Sequence, residues 1–259
     1  MIVLLLTGLA AVAVLMVLVW LLSVALADVS IIDPAWGFGF VVIAVTYALA
    51  DGDMSGRDWL VLAMVTIWGL RLGIYLTHRK WGEPEDHRYA AMREKRPGSF
   101  AYRSLITVFM LQALLLWVVA WPLAASIGAN SPTDIGIIEM VALFIFLVGL
   151  VFETVADYEL ARFKANPDSS GKLLTTGLRR YTRHPNYFGD FLVWWGIGII
   201  GVTSAGGWWS ILGPILISVL LMKVSGVGML KKSMSSKPGF EEYAARTNTF
   251  FPWFPSTPG

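Results

Sequence analysis

Seven apolar runs, each close to the length that crosses a bilayer, dominate this 259-residue sequence. A membrane-spanning helix needs about 20 mostly apolar residues, and within the hydrocarbon layer its backbone satisfies its own hydrogen bonds. The composition agrees, because 56% of the residues are hydrophobic, 15% are charged and the mean hydropathy is +0.64. We therefore predict an all-α, polytopic integral membrane protein with seven transmembrane helices in one domain, residues 1–259. The predicted spans are residues 2–27, 35–50, 59–77, 104–126, 136–158, 187–204 and 208–229.

The first run predicts a retained helix rather than a signal peptide, because no basic segment precedes it and it exceeds the usual apolar core of a signal. The chain has no cysteine, which excludes disulfides, thiol nucleophiles and thiolate metal ligands. Its histidines, His78, His87 and His184, lack the spacing that is typical of metal sites. We expect neither a metal site nor a nucleic-acid partner.

Lysine and arginine fall unevenly among the predicted loops. Seven lie in residues 79–103, six in 162–183 and four in 231–246, whereas Arg57 stands alone in a loop on the opposite side. Basic residues accumulate on the cytoplasmic side of short loops. This predicts a cytoplasmic carboxy terminus, an external amino terminus and a cytoplasmic turn at 28–36. The setting that we expect is a bacterial inner membrane, with membrane lipids around a monomer.

The segment "RRYTRHPNYFGD", residues 179–190, places three arginines and a histidine directly before an apolar run. Two interpretations stay open: the charges fix membrane topology, or they hold a polyanion. Topology alone does not account for Asn186, Tyr187 and Asp190, which continue into the apolar run. A carboxylate near lipid is costly unless it faces a partner or a wet cavity.

The preceding span has a similar anomaly in "GLVFETVADYELARFK", residues 149–164. Glu153 and Asp157 share one helical face at i and i+4, and Lys164 follows one heptad after Asp157. Such carboxylates could accept hydrogen bonds from ribose hydroxyls or an adenine amine. They could equally belong to an ion-pair network between two spans.

These residues carry a resemblance to a known family. "TTGLRRYTRHPNYFGDFLVWWGIGI" and "KPGFEEYAARTNTFFPWFP" resemble the carboxy-terminal half of the steroid 5-alpha-reductase family, especially its bacterial membrane branch. "IIDPAWG", "EDHRYAAMREK" and "ETVADYELARFK" also resemble that branch, so the likeness covers most of the chain. It implies a seven-helix enzyme that uses NADPH to reduce the carbon-carbon double bond of a lipid-soluble enone, commonly a 3-oxo-4-ene steroid.

The resemblance also implies a nucleotide site, to which the mixed-charge loop before the fourth span adds two arginines. A solvated, ion-paired surface is the alternative for that loop. The chain departs from the steroid-reducing animal enzymes in having Glu153 for an asparagine, Asp190 for a glutamate, and lysine for arginine at 164 and 172. The cofactor-binding residues so implied are Arg79, Arg88, Asp157, Lys164, Lys172, Arg183, His184, Asn186, Tyr187, Asp190, Lys231, Lys232, Tyr243 and Arg246.

Reduction of an enone develops negative charge on its carbonyl oxygen, so the site needs a donor aimed at that atom. Asp33 matches the region where the family has a catalytic glutamate, and an apolar pocket would favour its neutral, donating form. The alternative for Asp33 is an N-cap with Pro34 at the first helical position. Tyr75 lies near the position of the family's catalytic tyrosine, and its alternative is an interfacial aromatic.

Two other classes of function remain open. "RHPNY" also occurs in membrane methyltransferases that use S-adenosylmethionine on lipid or prenylated substrates, although that cofactor lacks phosphates to match the many basic residues. A transporter or non-catalytic membrane module could use the intramembrane charges, but the spans lack the broken pair that is typical of inverted repeats. No GxGxxG motif stands between a predicted strand and a helix, so the sequence has no Rossmann fingerprint.

Overall fold

The computed structural model describes residues 1–96, 98–127, 135–224 and 234–256. Within these ranges every regular element is helical, which confirms the predicted all-α class. The chain divides into two compact units, the first comprising Met1–Glu139 and Ile199–Gly213 and the second Met140–Gly198 and Pro214–Gly259. The longer helices are α1 (Ile2–Leu26), α2 (Ile32–Asp51), α3 (Gly56–Lys80), α4 (His87–Glu94), α5 (Phe100–Ser126), α6 (Ile137–Ala165), α7 (Pro185–Thr203), α8 (Gly207–Val224) and α9 (Phe240–Arg246).

Six stretches of the described chain are long and apolar enough to cross a membrane: α1, Val29–Asp51 with α2, α3, α5, α6 and α8. They confirm a polytopic membrane protein. The sequence predicted a seventh span at 187–204, where α7 does form a helix of 19 residues. Because its first two turns contain Asn186, Tyr187 and Asp190, α7 is less apolar than the other six, and seven spans are not confirmed.

Several helices extend beyond the predicted apolar runs. Helix α3 begins at Gly56 because Ser55 and Asp58 form a capping box, in which each side chain satisfies the other's backbone amide. Helix α6 continues seven residues past the predicted end at 158, through residues 159–165, whose glutamate, leucine, arginine and lysine favour helix. As a result Lys164 is carried on the last turn of α6.

Glycines allow the helices to pack backbone to backbone within each unit. In the first unit, a Cβ at Gly69 of α3 would lie 2.6 Å from the carbonyl oxygen of Gly37 in α2. In the second unit, a Cβ at Gly189 of α7 would lie 2.6 Å from the carbonyl oxygen of Gly149 in α6 and 2.5 Å from the backbone nitrogen of Glu153. Real Cβ atoms do not approach so closely, so these contacts require glycine.

Arg57, which the sequence placed alone in a loop, lies instead in the first turn of α3 and is buried. Its Nε lies 3.1 Å from Oε1 of Glu139, and its Nη2 donates to the carbonyl of Ile200 at 2.7 Å. A buried cation is tolerated where it is paired and hydrogen-bonded in this way.

Candidate functional site

Two segments of the first unit, 56 residues apart in the chain, are joined by side-chain hydrogen bonds. The Val29 amide donates to Oε1 of Glu85 at 2.8 Å, and the Asp86 amide donates to Oγ of Ser30 at 2.9 Å. Arg93 donates to both oxygens of Glu85 at 2.8 and 3.0 Å. The resembling segments "IIDPAWG" and "EDHRYAAMREK" therefore meet at one end of α2.

Asp33 lies where these two segments meet. Its Oδ2 is 3.5 Å from Nη2 of Arg88, and its Oδ1 accepts a hydrogen bond of 3.4 Å from the Tyr89 hydroxyl. Arg88 is itself held by Asp86, with bonds of 2.8 and 3.1 Å. The capping alternative for Asp33 is wrong, because α2 begins at Ile32 and places Asp33 inside the helix rather than at its N-cap.

Tyr75 and Arg79 belong to the same end of the first unit. The Arg79 guanidinium carbon lies 5.7 Å from the centre of the Tyr75 ring, and Arg79 is close enough to act electrostatically on Asp33. The structure thus brings together Asp33, Tyr75, Arg79 and Arg88, all four predicted site residues of this unit. Tyr89 was missed, and the available signal was its place beside Arg88 in a segment that already resembled the family.

The Tyr89 side chain is buried, with 7% of the residue exposed. Burial, together with the charge of Asp33, raises the pKa of its phenol above the ordinary value, so the hydroxyl is neutral at pH 7. Gln112 of α5 accepts a bond from the Trp36 indole of α2. The Tyr89 hydroxyl therefore joins α4 to the carboxylate of Asp33 on α2.

In the second unit, the basic segment 179–184 is fixed at both ends. The Leu178 amide donates to the Glu159 carboxylate at 3.1 Å, and Gly177 precedes it with a φ of 62° in close contact with that carboxylate. The Arg183 amide donates to the carbonyl of Asn248 at 2.9 Å. The buried Thr182 hydroxyl donates to the carbonyl of Phe250 at 2.8 Å. The arginine segment is consequently held against the segment after α9.

Arg183 carries a charge that the described residues do not neutralise. Its Nη2 donates to the Thr249 hydroxyl, and its guanidinium lies over the Phe240 ring at 5.9 Å. Its buried Nε has no hydrogen-bond partner, and no carboxylate within the described ranges pairs with it. Burial lowers the pKa of this guanidinium from its ordinary value, although arginine remains protonated at pH 7. A half-buried guanidinium without a carboxylate partner can form charge-assisted hydrogen bonds with an added anion.

A cavity of about 500 Å³ lies beside this guanidinium. His184 contributes to its wall and stacks on Tyr187, with ring centres 5.6 Å apart and planes inclined by 15°. Burial, reinforced by the charges of Arg179 and Arg183, lowers the pKa of His184 to about 4, so the imidazole is neutral at pH 7. The residues that line the cavity are Arg183, His184, Met234, Phe240, Glu241, Ala244 and Thr249.

The two predicted residues of α9 have different environments. Tyr243 is buried and donates to the carbonyl of Arg179 at 2.7 Å, and burial raises the pKa of its phenol to about 12. Arg246 is exposed and pairs with Glu242 at 3.2 Å, one helical turn away. The Tyr243 hydroxyl therefore holds the arginine segment through the Arg179 carbonyl, whereas Arg246 lies on the exposed face of α9.

The remaining predicted residues are spread over the second unit. Asp157 is buried on α6 and follows Glu153 by one turn, while Asn186 and Asp190 are half-buried and one turn apart on α7. The close contact of Glu153 with Gly189 shows that these two polar faces meet along the same helix pair. Lys164 and Lys172 are exposed, and the structure does not bring them to the cavity. Lys231 and Lys232 lie outside the described residues.

Arg179, Phe240 and Thr249 are the residues of this region that sequence reasoning missed. Arg179 is buried although its neighbour Arg180 is exposed. Both lie in a short 3₁₀ turn, which has no repeating pattern from which the buried one could be predicted. Phe240 and Thr249 lie in a segment that already resembled the family, which was the available signal.

Residues 19–247 match a family described as "Protein of unknown function (DUF1295)". An uncharacterized protein of Schizosaccharomyces pombe is 26% identical over 90% of this chain and 75% of its own length. The Delta(14)-sterol reductase LBR of Gallus gallus is 27% identical over 60% of this chain, and the probable O-methyltransferase ustE of Ustilaginoidea virens is 40% identical over 31%. The matches to these two proteins span 25% and 28% of their lengths. No solved structure matches the chain.

Proposed function

Because the chain belongs to the DUF1295 family, which includes steroid 5-alpha-reductase-like and methyltransferase-like members, we propose that it is an NADPH-dependent reductase. Its substrate would be a lipid-soluble enone, and 3-oxo-4-ene steroids are the class to test first. The distant likeness to a sterol reductase supports an enzyme of this kind. NADPH dependence and the substrate class are proposed from two candidate regions. One surrounds Asp33 and Arg88 in the first unit, and the other surrounds Arg183 in the second unit.

The observation that carries the proposal is the half-buried Arg183 guanidinium beside a cavity, with no carboxylate partner among the described residues. NADPH has a pyrophosphate and a 2′-phosphate, and guanidinium groups bind phosphate oxygens through charge-assisted hydrogen bonds. The unpartnered Nε of Arg183 supplies one such donor, and the neutral His184 at the cavity wall can supply another. The residues of this region therefore fit an anionic cofactor.

Reduction of the enone also needs a hydrogen-bond donor to its carbonyl oxygen. NADPH, when bound, supplies the hydride. The first unit offers the Tyr89 hydroxyl and the Asp33 carboxylate with Arg88 beside them, at the end of an apolar helix. Hydrogen-bond donors fixed in a dry site stabilise developing negative charge strongly. These residues would position the substrate and supply its proton.

We also propose that α7 is a seventh span, with the amino terminus outside and the carboxy terminus in the cytoplasm of a bacterium. The uneven distribution of lysine and arginine supports this orientation, because residues 79–103 and 162–183 carry most of the positive charge. It would expose the Arg183 cavity to cytosolic NADPH. A lipid-soluble substrate would enter from the bilayer, and the working unit would be a monomer.

A methyltransferase that uses S-adenosylmethionine is the second candidate, and the likeness to ustE favours it. The positive charge at Arg183 counts against it, because S-adenosylmethionine is itself a sulfonium cation without phosphates. The single carboxylate of S-adenosylmethionine could still form an ion pair with the Arg183 guanidinium. The choice therefore depends on which nucleotide the purified protein binds.

The test is a comparison of ligand affinities for the purified protein in detergent. We expect NADPH to bind more tightly than NADH, and S-adenosylmethionine to bind weakly. Arg183→Ala should weaken NADPH binding by about 1.5 to 3 kcal/mol, roughly 10- to 150-fold in affinity. This is the scale of a lost hydrogen bond to a charged group. Arg180→Ala is the matched control, since Arg180 is exposed in the same segment. Stronger binding of S-adenosylmethionine than of NADPH would contradict the reductase.

A further inference from the structure

The segment after α9 places aromatic side chains at the surface of the second unit. Its sequence "TNTFFPWFPS", residues 247–256, contains four aromatic residues and no charged one. Phe251, Trp253 and Phe254 are 56%, 69% and 76% exposed. Large apolar groups that are exposed side by side mark a contact with a partner or with a membrane. We call residues 250–254 the aromatic segment; none of them lines the cavity described above.

Contacts with the basic segment hold the aromatic segment in place. The Trp253 amide donates to the carbonyl of Tyr181 at 3.0 Å, and the Phe250 carbonyl accepts from the Thr182 hydroxyl at 2.8 Å. The Phe254 ring also lies 6.1 Å from the Tyr181 ring. The exposure of these aromatic side chains is therefore built into the fold, because the backbone that carries them is fixed.

The backbone of this segment suits a place with little water. Pro252 and Pro255 have no N–H group, and the N–H of Trp253 between them is hydrogen-bonded. An unpaired donor is costly in lipid, so non-helical chain at membrane depth needs its donors removed or satisfied. The two prolines and the one hydrogen bond meet this need at three of the four residues 252–255.

The packing of α6 on α7 fixes the depth of the first turns of α7. A Cβ at Gly189 would lie 2.6 Å from the carbonyl oxygen of Gly149, and a Cβ at Gly196 would lie 2.8 Å from that of Ala142, so the two helices are antiparallel. Residues 140–152 of α6 are all apolar, and α6 is long enough to cross a bilayer. The first two turns of α7 therefore lie beside the end of this apolar stretch, and the polar last turns of α6 extend beyond them.

Ring contacts connect the aromatic segment to the same level. The Phe250 and Phe251 rings lie 5.6 and 5.9 Å from the ring of Phe191, in the second turn of α7. The Phe191 ring lies 5.8 Å from that of Trp195, one turn further along the helix. The aromatic surface is thus continuous with α7 and level with the apolar stretch of α6. In a helix that spans a bilayer, the end of such a stretch lies at the boundary of the hydrocarbon layer.

We propose that residues 250–254 are a lipid-facing anchor, whose exposed rings enter the boundary between headgroups and acyl chains at the side of the bilayer where α7 begins. Aromatic rings favour this boundary, and the indole N–H of Trp253 can bond headgroup oxygens while its ring stays in apolar surroundings. Because Thr249 directly precedes the segment, the anchor also holds one wall of the cavity. An anchor of this kind is independent of which cofactor the cavity binds.

The experiment uses the absence of cysteine from the chain, which lets one substitution create one labelling position. Phe254→Cys, Val151→Cys and Asp168→Cys each receive a fluorophore, in nanodiscs that contain one copy of the protein. Val151 is exposed on the apolar stretch of α6 and is the lipid control. Asp168 is exposed in the turn that follows α6 and is the water control. Quenching is measured with a nitroxide near the headgroup end of the acyl chains and with iodide in the water.

We expect the nitroxide to quench the label at residue 254 within about twofold of the label at residue 151, because an interfacial segment lies about 5 to 10 Å into this boundary. The label at residue 168 should be quenched by iodide alone. Iodide quenching without nitroxide quenching at residue 254 would overturn the anchor. Protection from both quenchers would overturn it as well, since protein rather than lipid would then cover the segment.

A second measurement needs no label and serves if Phe254→Cys does not fold. The emission of Trp253 is obtained as the difference between wild type and Trp253→Phe, a substitution that keeps an aromatic ring. In nanodiscs of lipids brominated near the headgroup end of the acyl chains, we expect this difference to fall by about half or more, because an interfacial indole contacts that part of the lipid. A difference equal to that in unbrominated lipids would overturn the anchor.

Discussion

The two candidate regions differ in how their charges are balanced. In the first unit, Asp33 and Asp86 face Arg88, and Glu85 faces Arg93, so each of these carboxylates has a cation nearby. In the second unit, the half-buried Arg183 side chain contacts the Thr249 hydroxyl and the Phe240 ring, and no carboxylate in the described chain pairs with it. The charges of the first region are therefore paired, whereas we expect the second region to gain stability from an added anion.

From this difference we expect the second region to bind an anion and the first region to direct protons. A satisfied polar network is rigid and specific, because every member is fixed by its neighbours. A half-buried cation without a carboxylate partner is stabilised when an anionic ligand forms charge-assisted hydrogen bonds with it. The predictions below test this contrast, beginning with the contacts that hold each region together.

The largest effect should come from the glycine contacts. Gly69→Ala in the first unit and Gly189→Ala in the second each introduce a Cβ 2.6 Å from a backbone oxygen of the facing helix. We expect each to lower the free energy of unfolding by about 3 kcal/mol, the upper part of the range for overpacking. Thermal unfolding in detergent measures this. Gly98→Ala is the control, because no heavy atom lies within 4 Å of its added Cβ, and equal stability of all three variants would contradict the packing.

Acid should weaken the two regions in different pH ranges. Burial lowers the pKa of His184 from 6.5 to about 4, so its stabilisation is complete above pH 6.5 and is lost as the pH falls toward 4. At pH 5 the loss is on the order of 2 kcal/mol. Burial alone would raise the pKa of Asp86, but the hydrogen bonds from Arg88 outweigh it and hold the pKa below 3.8. The contribution of Asp86 is therefore lost only as the pH falls below 3.8.

Hydrogen exchange at pH 7 and pH 5 distinguishes these two cases. The backbone amides of residues 181–184 should exchange faster at pH 5 once the intrinsic pH dependence is removed, whereas those of residues 29–33 should keep their protection. His184→Gln should abolish the change in the second unit. Equal loss of protection in both segments would show that His184 is not its cause.

Pyrophosphate should stabilise the second region more than the first. At ten times its dissociation constant a ligand stabilises the state that it binds by about 1.4 kcal/mol. We expect this increase in wild type and in Arg180→Ala, and its absence in Arg183→Ala. Hydrogen exchange with and without pyrophosphate would locate the effect. If the increase in stability persists in Arg183→Ala, the Arg183 guanidinium does not bind pyrophosphate.

The smallest effect should follow from Arg246→Ala. Arg246 is exposed and pairs with Glu242 across one helical turn. Such a pair contributes less than about 0.5 kcal/mol. Chemical unfolding should therefore place this variant close to wild type. A loss similar to that of Gly189→Ala would show that Arg246 has a buried partner that the structure lacks.

The helical class and most of the membrane helices could be predicted from the sequence, because apolar length and composition are local properties. The helix boundaries were less predictable. Ser55 and Asp58 extend α3 through a cap, and the helix-favouring residues 159–165 extend α6 beyond the apolar run. Neither effect depends on hydropathy, so the apolar runs alone do not predict where these helices begin and end.

The candidate sites were predictable in part. Asp33 and Arg88 were both identified, but their contact joins residues 55 positions apart and depends on hydrogen bonds between two loops. Tyr89 was missed for the same reason, because its importance comes from a carboxylate distant in sequence. Burial of Arg179 rather than Arg180 depends on how a 3₁₀ turn meets α9, for which the sequence has no periodic signal.

The attachment of Arg183 to Thr249 has a consequence for biosynthesis. These residues are 66 positions apart, and ribosomes add about 5 to 20 residues per second, so about 3 to 13 s separate their synthesis. During that interval Arg183 has emerged without the segment that encloses it, and the cavity wall formed by Phe240 and Thr249 does not yet exist. Formation of this cavity is therefore a late event in the synthesis of the chain.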